Sequence, residues 1–366
     1  MGADRRNARQ AAIVAALEGQ GLDGLLVAHR PNVRYLTGFS GSAAFVVITP
    51  RDVLLLTDSR YDVQAHEEAR GAARVVIERT SVWERLFKEL AALGALTGLG
   101  YESHVMAARD VGRLEQAAAG RSWRWTAAVD LVERLRERKD PDEVAAIRAA
   151  ANLANAALAA VLPRVRVGQS ELEVVGMLEG ELRRQGSEEH PFATIVAAGP
   201  RSALPHARAT RRALDQGDLV LIDFGAVVDG YCADLTRTVV VGARATDAQR
   251  ALYDLVRGAQ GRALAGVRAG MTGREADALA RDVIAARGFG DAFGHSLGHG
   301  IGLEVHEGPR LSQTNGDALP PDAVVTVEPG VYVAGEGGVR LEDDVHLGPD
   351  GPVLLSGGAP ELVELS

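Results

Sequence analysis

A chain of 366 residues is too long for one ordinary domain and comfortable for two. Its 46 % hydrophobic and 24 % charged residues exclude a disordered or fibrous protein, and a net charge of −9, scattered without a basic block, excludes a non-specific nucleic-acid surface. The single cysteine, Cys232, excludes an intrachain disulfide; the segment Met1 to Gln20, basic and then Ala-rich and amphipathic, has no continuous apolar core of signal-peptide type, and no run reads as long enough to span a bilayer, so a cytoplasmic location without membrane contact is expected.

The first third alternates short apolar runs with helical stretches. Gly24 to Val27, Ala44 to Ile48, Val53 to Leu56, Arg74 to Ile77 and Gly98 to Tyr101 read as strands, with helices over Val82 to Leu93 and Ala107 to Ala119. The pattern is that of an α/β domain with a mixed sheet. A charged segment, Leu131 to Lys139, reads as a linker. Asp140-Pro141-Asp142-Glu143 then opens a helix with a capping Asp, a Pro at the first helical position and a Glu three residues after the cap. That helix runs to about Val161, and a second, capped by Ser170, covers Leu172 to Arg184.

Further on, Val220-Leu221-Ile222-Asp223-Phe224-Gly225 is echoed by Val325-Thr326-Val327-Glu328-Pro329-Gly330. Each is followed by an extended run carrying more acids, Asp234 to Val241 and Val339 to Val345, which suggests a duplicated α+β unit. Asp223 and Asp234 flank a hairpin turn at Asp229-Gly230. Their odd separation puts both on one side of the ribbon, opposite or one diagonal step apart. Two acids on an apolar sheet repel unless a cation lies between them. Along the second run, alternation places Arg340, Glu342 and Asp344 on one face. Arg340 reads as a partner that orients metal-binding carboxylates, or as a simple cross-strand ion pair. Between these pairs, Gly294 to Glu307 holds His295, His299 and His306 among glycines that let the backbone approach a site closely. Cys232 shares a strand face with Asp234 and is either a soft ligand or a small buried residue.

These residues together resemble the pita-bread metallopeptidases: aminopeptidase P, prolidase and methionine aminopeptidase. The ordered ligand set of that family, Asp, Asp, His, Glu, Glu, is matched by Asp223, Asp234, His299, Glu328 and Glu342. Asn32-Val33-Arg34-Tyr35-Leu36-Thr37-Gly38-Phe39 and Thr57-Asp58-Ser59-Arg60-Tyr61 are similar to the creatinase-type N-terminal domain. The resemblance implies an α/β creatinase-like domain over residues 1–133, followed by an α+β, duplicated pita-bread catalytic domain over residues 134–366. It implies two divalent metal ions: Asp223 serving one, His299 and Glu328 the other, and Asp234 and Glu342 bridging both. So oxygen-rich a donor set favours Mn²⁺, with Co²⁺ or Zn²⁺ compatible.

By the same resemblance Glu328 handles the proton of the attacking water, His206 binds substrate, and His295 and His306 stand near the leaving group and the tetrahedral intermediate. Phe192 walls the first-residue pocket. The implied reaction is hydrolysis of the Xaa-Pro bond of dipeptides, or alternatively release of the first residue from longer Xaa-Pro peptides. Arg34 and Arg60 are candidates for selecting a free proline carboxylate, or are structural. A homodimer is implied as well. Methionine aminopeptidase normally lacks an N-terminal domain of this size, creatinase does not keep the ligands, and non-catalytic pita-bread binding modules typically lose them.

Overall fold

The five apolar runs read as strands in the first hundred or so residues all form them, because each is short, rich in Val, Leu, Ile or Gly, and set between turns or helices. In the computed structural model, which describes residues 3–94, 96–358 and 361–366, the chain divides between Arg136 and Glu137 into two compact units. The N-terminal unit holds six strands: β1 (Gly24–Val27), β2 (Ala44–Ile48), β3 (Val53–Asp58), β4 (Arg74–Glu78), β5 (Gly98–Glu102) and β6 (Arg124–Ala128). They form one mixed sheet in the order β4-β3-β2-β1-β5-β6, with β1, β5 and β6 parallel. Its helices are α1 (Ala3–Glu18), α2 (Arg30–Thr37), α3 (Asp62–Glu68), α4 (Val82–Ala92), α5 (Ala108–Ala118) and α6 (Glu133–Arg136). The sequence reading missed β6, an edge strand with three of five residues exposed and so without an apolar run.

Two expectations need correction. The segment Leu131 to Lys139 is no solvated linker. Its residues 133–136 form α6, Arg136 is buried and donates to Asn32 Oδ1 at 2.8 Å, and Lys139 makes a 2.7 Å buried ion pair with Glu307. Arg136 and Lys139, two of the charges that suggested a linker, are buried against partners instead. Secondly, one stretch, Pro141–Arg164, is long and apolar enough by length and composition to cross a bilayer. Here its Ala150, Ala151, Ala154, Ala157, Leu158 and Val161 are buried in a protein core.

The C-terminal unit is built twice over. Helices α7 (Pro141–Val161) and α8 (Glu171–Arg184) precede β7 (Ile195–Ala198), β8 (Leu219–Val228) and β9 (Tyr231–Val241). Helices α9 (Asp247–Gly266) and α10 (Gly273–Ala285) precede β10 (Gly298–Gly300), β11 (Glu307–Leu311), β12 (Val324–Val327), β13 (Gly330–Val333), β14 (Gly337–Arg340), β15 (Asp343–Gly348) and β16 (Gly351–Leu354). The chain ends in β17 (Val363–Leu365), parallel to β9. All four helices begin with a reciprocal capping box, at Asp140/Glu143, Ser170/Glu173, Thr246/Gln249 and Thr272/Glu275. Two sheets follow, β17-β9-β8-β7 and β11-β10-β12-β15-β16, with β13 and β14 as a separate ribbon. The extended run at residues 339–345 is therefore two strands. It leaves β13 after Arg340, crosses at Glu342 by a bridge to Thr236, and joins β12 from Asp343.

Candidate metal and active site

The β8–β9 hairpin turns at Asp229 and Gly230, both with positive φ (50° and 75°), the two-residue turn whose twist matches paired strands. This turn sets the register: Gly225 lies opposite Asp234 and Asp223 opposite Thr236. The two aspartates are thus one diagonal step apart on one face, as the odd spacing required, and both are buried.

His299 arrives from the other half of the unit on β10, clamped between two glycines. A Cβ on Gly298 would lie 1.9 Å from the Thr326 carbonyl oxygen, and one on Gly300 1.9 Å from that of Gly308. Only glycine lets β10 sit between its neighbours, so the glycines flanking His299 are a packing requirement that places the imidazole. Its Nδ1 donates to the Gly300 carbonyl oxygen at 3.1 Å, leaving the lone pair of Nε2 directed at Glu328 Oε1 (3.4 Å) and Asp234 Oδ2 (3.9 Å). Burial, then the neighbouring His306, lowers the His299 pKa to about 3, so the ring is neutral.

Glu328 follows β12, and Glu342 occupies the crossing between β14 and β15. Thr236 donates to Glu342 Oε2 at 2.6 Å and accepts from Arg340 Nε at 3.1 Å. Arg340 also donates from Nη2 to Asp223 Oδ2 at 2.6 Å, and from Nη1 to Tyr332 Oη (2.8 Å) and to the carbonyl of Pro205 (3.1 Å), which precedes His206. One buried guanidinium therefore orients an acid of the hairpin and the loop that carries His206, so the simple cross-strand pair understates it. Asp343 and Asp344 are spent elsewhere: Asp343 pairs with Arg237 at 2.8 Å, and Asp344 accepts the Asp234 amide at 3.2 Å.

A cavity of about 430 Å³ collects these groups. Phe192, His206, Asp223, Asp234, His295, His299, His306, Glu328, Arg340 and Glu342 all line it, so every site residue expected in this unit is brought together. Cys232 does not line it; the thiol is buried among Ile147, Val227 and Ile301, and burial raises its pKa. Its reading as a soft ligand is thereby dropped in favour of a small buried residue.

Burial and mutual repulsion act on the acids together. Desolvation, then Glu342, Asp223 and Glu328, push Asp234 well above the usual carboxylate range, and desolvation followed by Glu328 and Asp223 does the same to Glu342. Glu328 is raised to about 8, chiefly by burial, with Arg340 opposing. Four carboxylates face one buried guanidinium, and Asp223 Oδ1 and Asp234 Oδ1 are buried without a hydrogen-bond partner among the described residues. Donor atoms of Asp234, His299 and Glu342 lie within 4.8 Å of one another. Bare oxygens, a bare imidazole nitrogen and excess negative charge are the requirements of hard divalent cations. The residues present fit a metal centre of that kind.

The model of metallopeptidase family M24 matches residues 145–349, and that of the creatinase/prolidase N-terminal domain matches residues 9–138. The chain belongs to metallopeptidase family M24. Its creatinase-type domain followed by a pita-bread domain is the architecture the sequence resemblance implied. Among M24 relatives, an uncharacterized peptidase of Bacillus subtilis, YqhT, is 40 % identical over 94 % of this chain and 96 % of its own. A solved Xaa-Pro dipeptidase from Bacillus anthracis superposes with a TM-score of 0.94 at 38 % identity, covering 98 % of this chain and 100 % of that one. An X-Pro aminopeptidase from Thermotoga maritima gives 0.89 at 35 % identity, covering 98 % and 99 %.

Three residues of this M24 site escaped the sequence reading. Thr236 could have been found, since it is two residues from Asp234 and so on the same strand face. Tyr332 could not. It donates to His295 Nε2 (2.8 Å), whose Nδ1 donates to the Ser296 carbonyl (2.8 Å), while burial and then Arg340 lower the His295 pKa to about 4. Arg310 also lines the cavity, from β11 opposite His299, and has no carboxylate partner among the described residues. The arginines proposed for selection belong to the N-terminal unit. Arg60 spends its fork on Asp58, with Nε and Nη2 bonds of 2.9 and 2.7 Å, and Arg34 lies in the last turn of α2.

Proposed function

We infer that this chain is a peptidase that hydrolyses the bond between an N-terminal residue and proline in dipeptides, using two divalent metal ions held by Asp223, Asp234, His299, Glu328 and Glu342. The observation that carries this reading is the convergence of those five donors on one cavity with bare oxygens and a bare imidazole nitrogen. The specificity is supported by the Bacillus anthracis neighbour, which bears the name Xaa-Pro dipeptidase. Mn²⁺ suits four carboxylates and one imidazole.

When bound, such a pair of ions lowers the pKa of a shared water and polarises the scissile carbonyl. The protein supplies the rest. Glu328, on the cavity wall beside His299, takes the proton of the attacking water and passes it to the prolyl nitrogen. That transfer is needed because the prolyl nitrogen carries no hydrogen and leaves as a poor secondary amine. His206 and His306 line the cavity as exposed donors for the substrate's polar groups, His295 is kept neutral by burial and Arg340 and oriented by Tyr332 and the Ser296 carbonyl, and Phe192 lies against the first side chain.

Selection between a dipeptide and a longer chain needs a cation for the free proline carboxylate, and Arg310 now outranks Arg34 and Arg60 for it. It lines the cavity with no ion-pair partner among the described residues, whereas Arg60 is occupied by Asp58. A hydrogen bond to a charged group contributes about 1.5–3 kcal/mol. Arg310→Ala is therefore expected to lower kcat/KM on Ala-Pro by roughly 10–100-fold while changing Ala-Pro-Ala little. Comparing kcat/KM on the two peptides tests the reading. Dipeptide preference that collapses in the variant supports it; faster turnover of the tripeptide by the parent would establish the aminopeptidase activity named in the Thermotoga neighbour.

A further inference from the structure

The N-terminal unit contains a second group of metal-ligating side chains. His29 follows β1, His104 follows β5, and Glu133 opens α6 after β6. These three strands are adjacent and parallel, so the three side chains gather beyond their carboxyl ends, where open α/β sheets place ligands. A nitrogen from each ring and an oxygen of Glu133 lie within 4.8 Å of one another. Glu133 Oε1 is 3.0 Å from His104 Nε2 and 3.7 Å from His29 Nδ1. Tetrahedral ligands about 2.1 Å from a zinc ion stand roughly 3.4 Å apart, a spacing these two distances bracket.

The carboxylate is also held in place. Asn32 Nδ2 donates to Glu133 Oε1 at 2.5 Å and to the buried Glu102 at 2.6 Å, while Arg136 grips the Asn32 amide oxygen at 2.8 Å. Glu133 Oε2 is buried with no hydrogen-bond partner among the described residues. The side chains of His29, His104 and Glu133 are 20, 28 and 18 % exposed, which leaves an ion a way in.

We propose that His29, His104 and Glu133 form a binding site for one borderline divalent ion of the zinc class, tying together the ends of β1, β5 and β6. Two imidazoles and a carboxylate are a ligand set that zinc accepts with a fourth position left for water. This differs from the carboxylate-rich donor set of the C-terminal cavity, which suits harder ions.

The test is zinc content of the full chain after equilibrium dialysis against Zn²⁺. His104→Ala and His29→Ala, each checked for native circular dichroism, are expected to hold one ion per chain fewer than the parent; equal content in a folded variant and the parent overturns the site and leaves a His–Glu ion pair. The comparison is a difference, so it stands whatever the C-terminal cavity binds. Should both variants misfold, the Asp234→Asn/Glu342→Gln chain, with the N-terminal cluster intact, must still retain zinc. No zinc in that protein overturns the proposal equally.

Discussion

Asp234→Asn removes hydrolysis of Ala-Pro while making the metal-free protein more stable. Asp234 lies at the centre of the acid cluster, within 3.9 Å of His299, with one oxygen bare. An amide keeps the shape but cannot offer a metal ion an anionic oxygen. Losing the metal pair forfeits several kcal/mol of transition-state stabilisation, a fall of roughly 10³-fold or more in kcat. Without metal, the same change removes an acid that burial, Glu342, Asp223 and Glu328 all disfavour as an anion. The variant should then exceed the metal-free parent by about 1–3 kcal/mol at pH 8, since relieving uncompensated buried charge is stabilising. Chemical denaturation in chelator, beside steady-state kinetics with Mn²⁺, reads both arms. A variant that keeps parental turnover, or that is strongly destabilised without metal, contradicts the assignment of Asp234.

The second large effect is the pH dependence of the metal-free protein. Glu328 is raised in the folded state from 4.5 to about 8, so the folded chain holds a proton that the unfolded chain releases. Its stabilisation is present below pH 4.5 and is lost as pH rises towards 8. The buried histidines act oppositely. His295 and His299, lowered from 6.5 to about 4 and about 3, add stability as pH rises, but only up to 6.5. Glu133, held at about 2, changes only below 4.5. Between pH 6.5 and 8 the buried acids therefore dominate, and stability in chelator should fall by about 1 kcal/mol per pH unit for Glu328 alone. Asp234 and Glu342, raised in the same direction, steepen that slope. Divalent metal favours the ionised carboxylates, so Mn²⁺ should abolish or reverse the decline. Unfolding free energies at pH 6.5 and 8, with chelator and with Mn²⁺, check this; a flat profile in chelator would mean that the acids are not crowded as the structure has them.

Much of this centre was legible because it is built on local rules. Strand parity and a two-residue Asp-Gly turn determine where Asp223 and Asp234 stand, and both are visible within twenty residues. The capping box at Asp140 and Glu143 announced α7 to the residue. What remained hidden depends on chain partners far away in sequence. Arg310 comes to the cavity only because β11 pairs with β10, and Tyr332 only because β13 and β14 form a ribbon that turns its hydroxyl onto Arg340 and His295. The charged stretch around α6 misled for the same reason. Charge argues for solvent until a partner such as Asn32 or Glu307 is known. The helix Pro141–Val161 makes the complementary point, since composition alone does not tell a core helix from a membrane span.

The central claim, a two-metal peptidase specific for the bond before proline, is tested most directly by adding Mn²⁺ in measured equivalents to chelator-stripped protein and following cleavage of Ala-Pro beside Ala-Ala. The account predicts no activity before addition, a maximum at two equivalents per chain, and turnover of Ala-Pro only. Full activity in the stripped protein, or equal turnover of Ala-Ala, would contradict it.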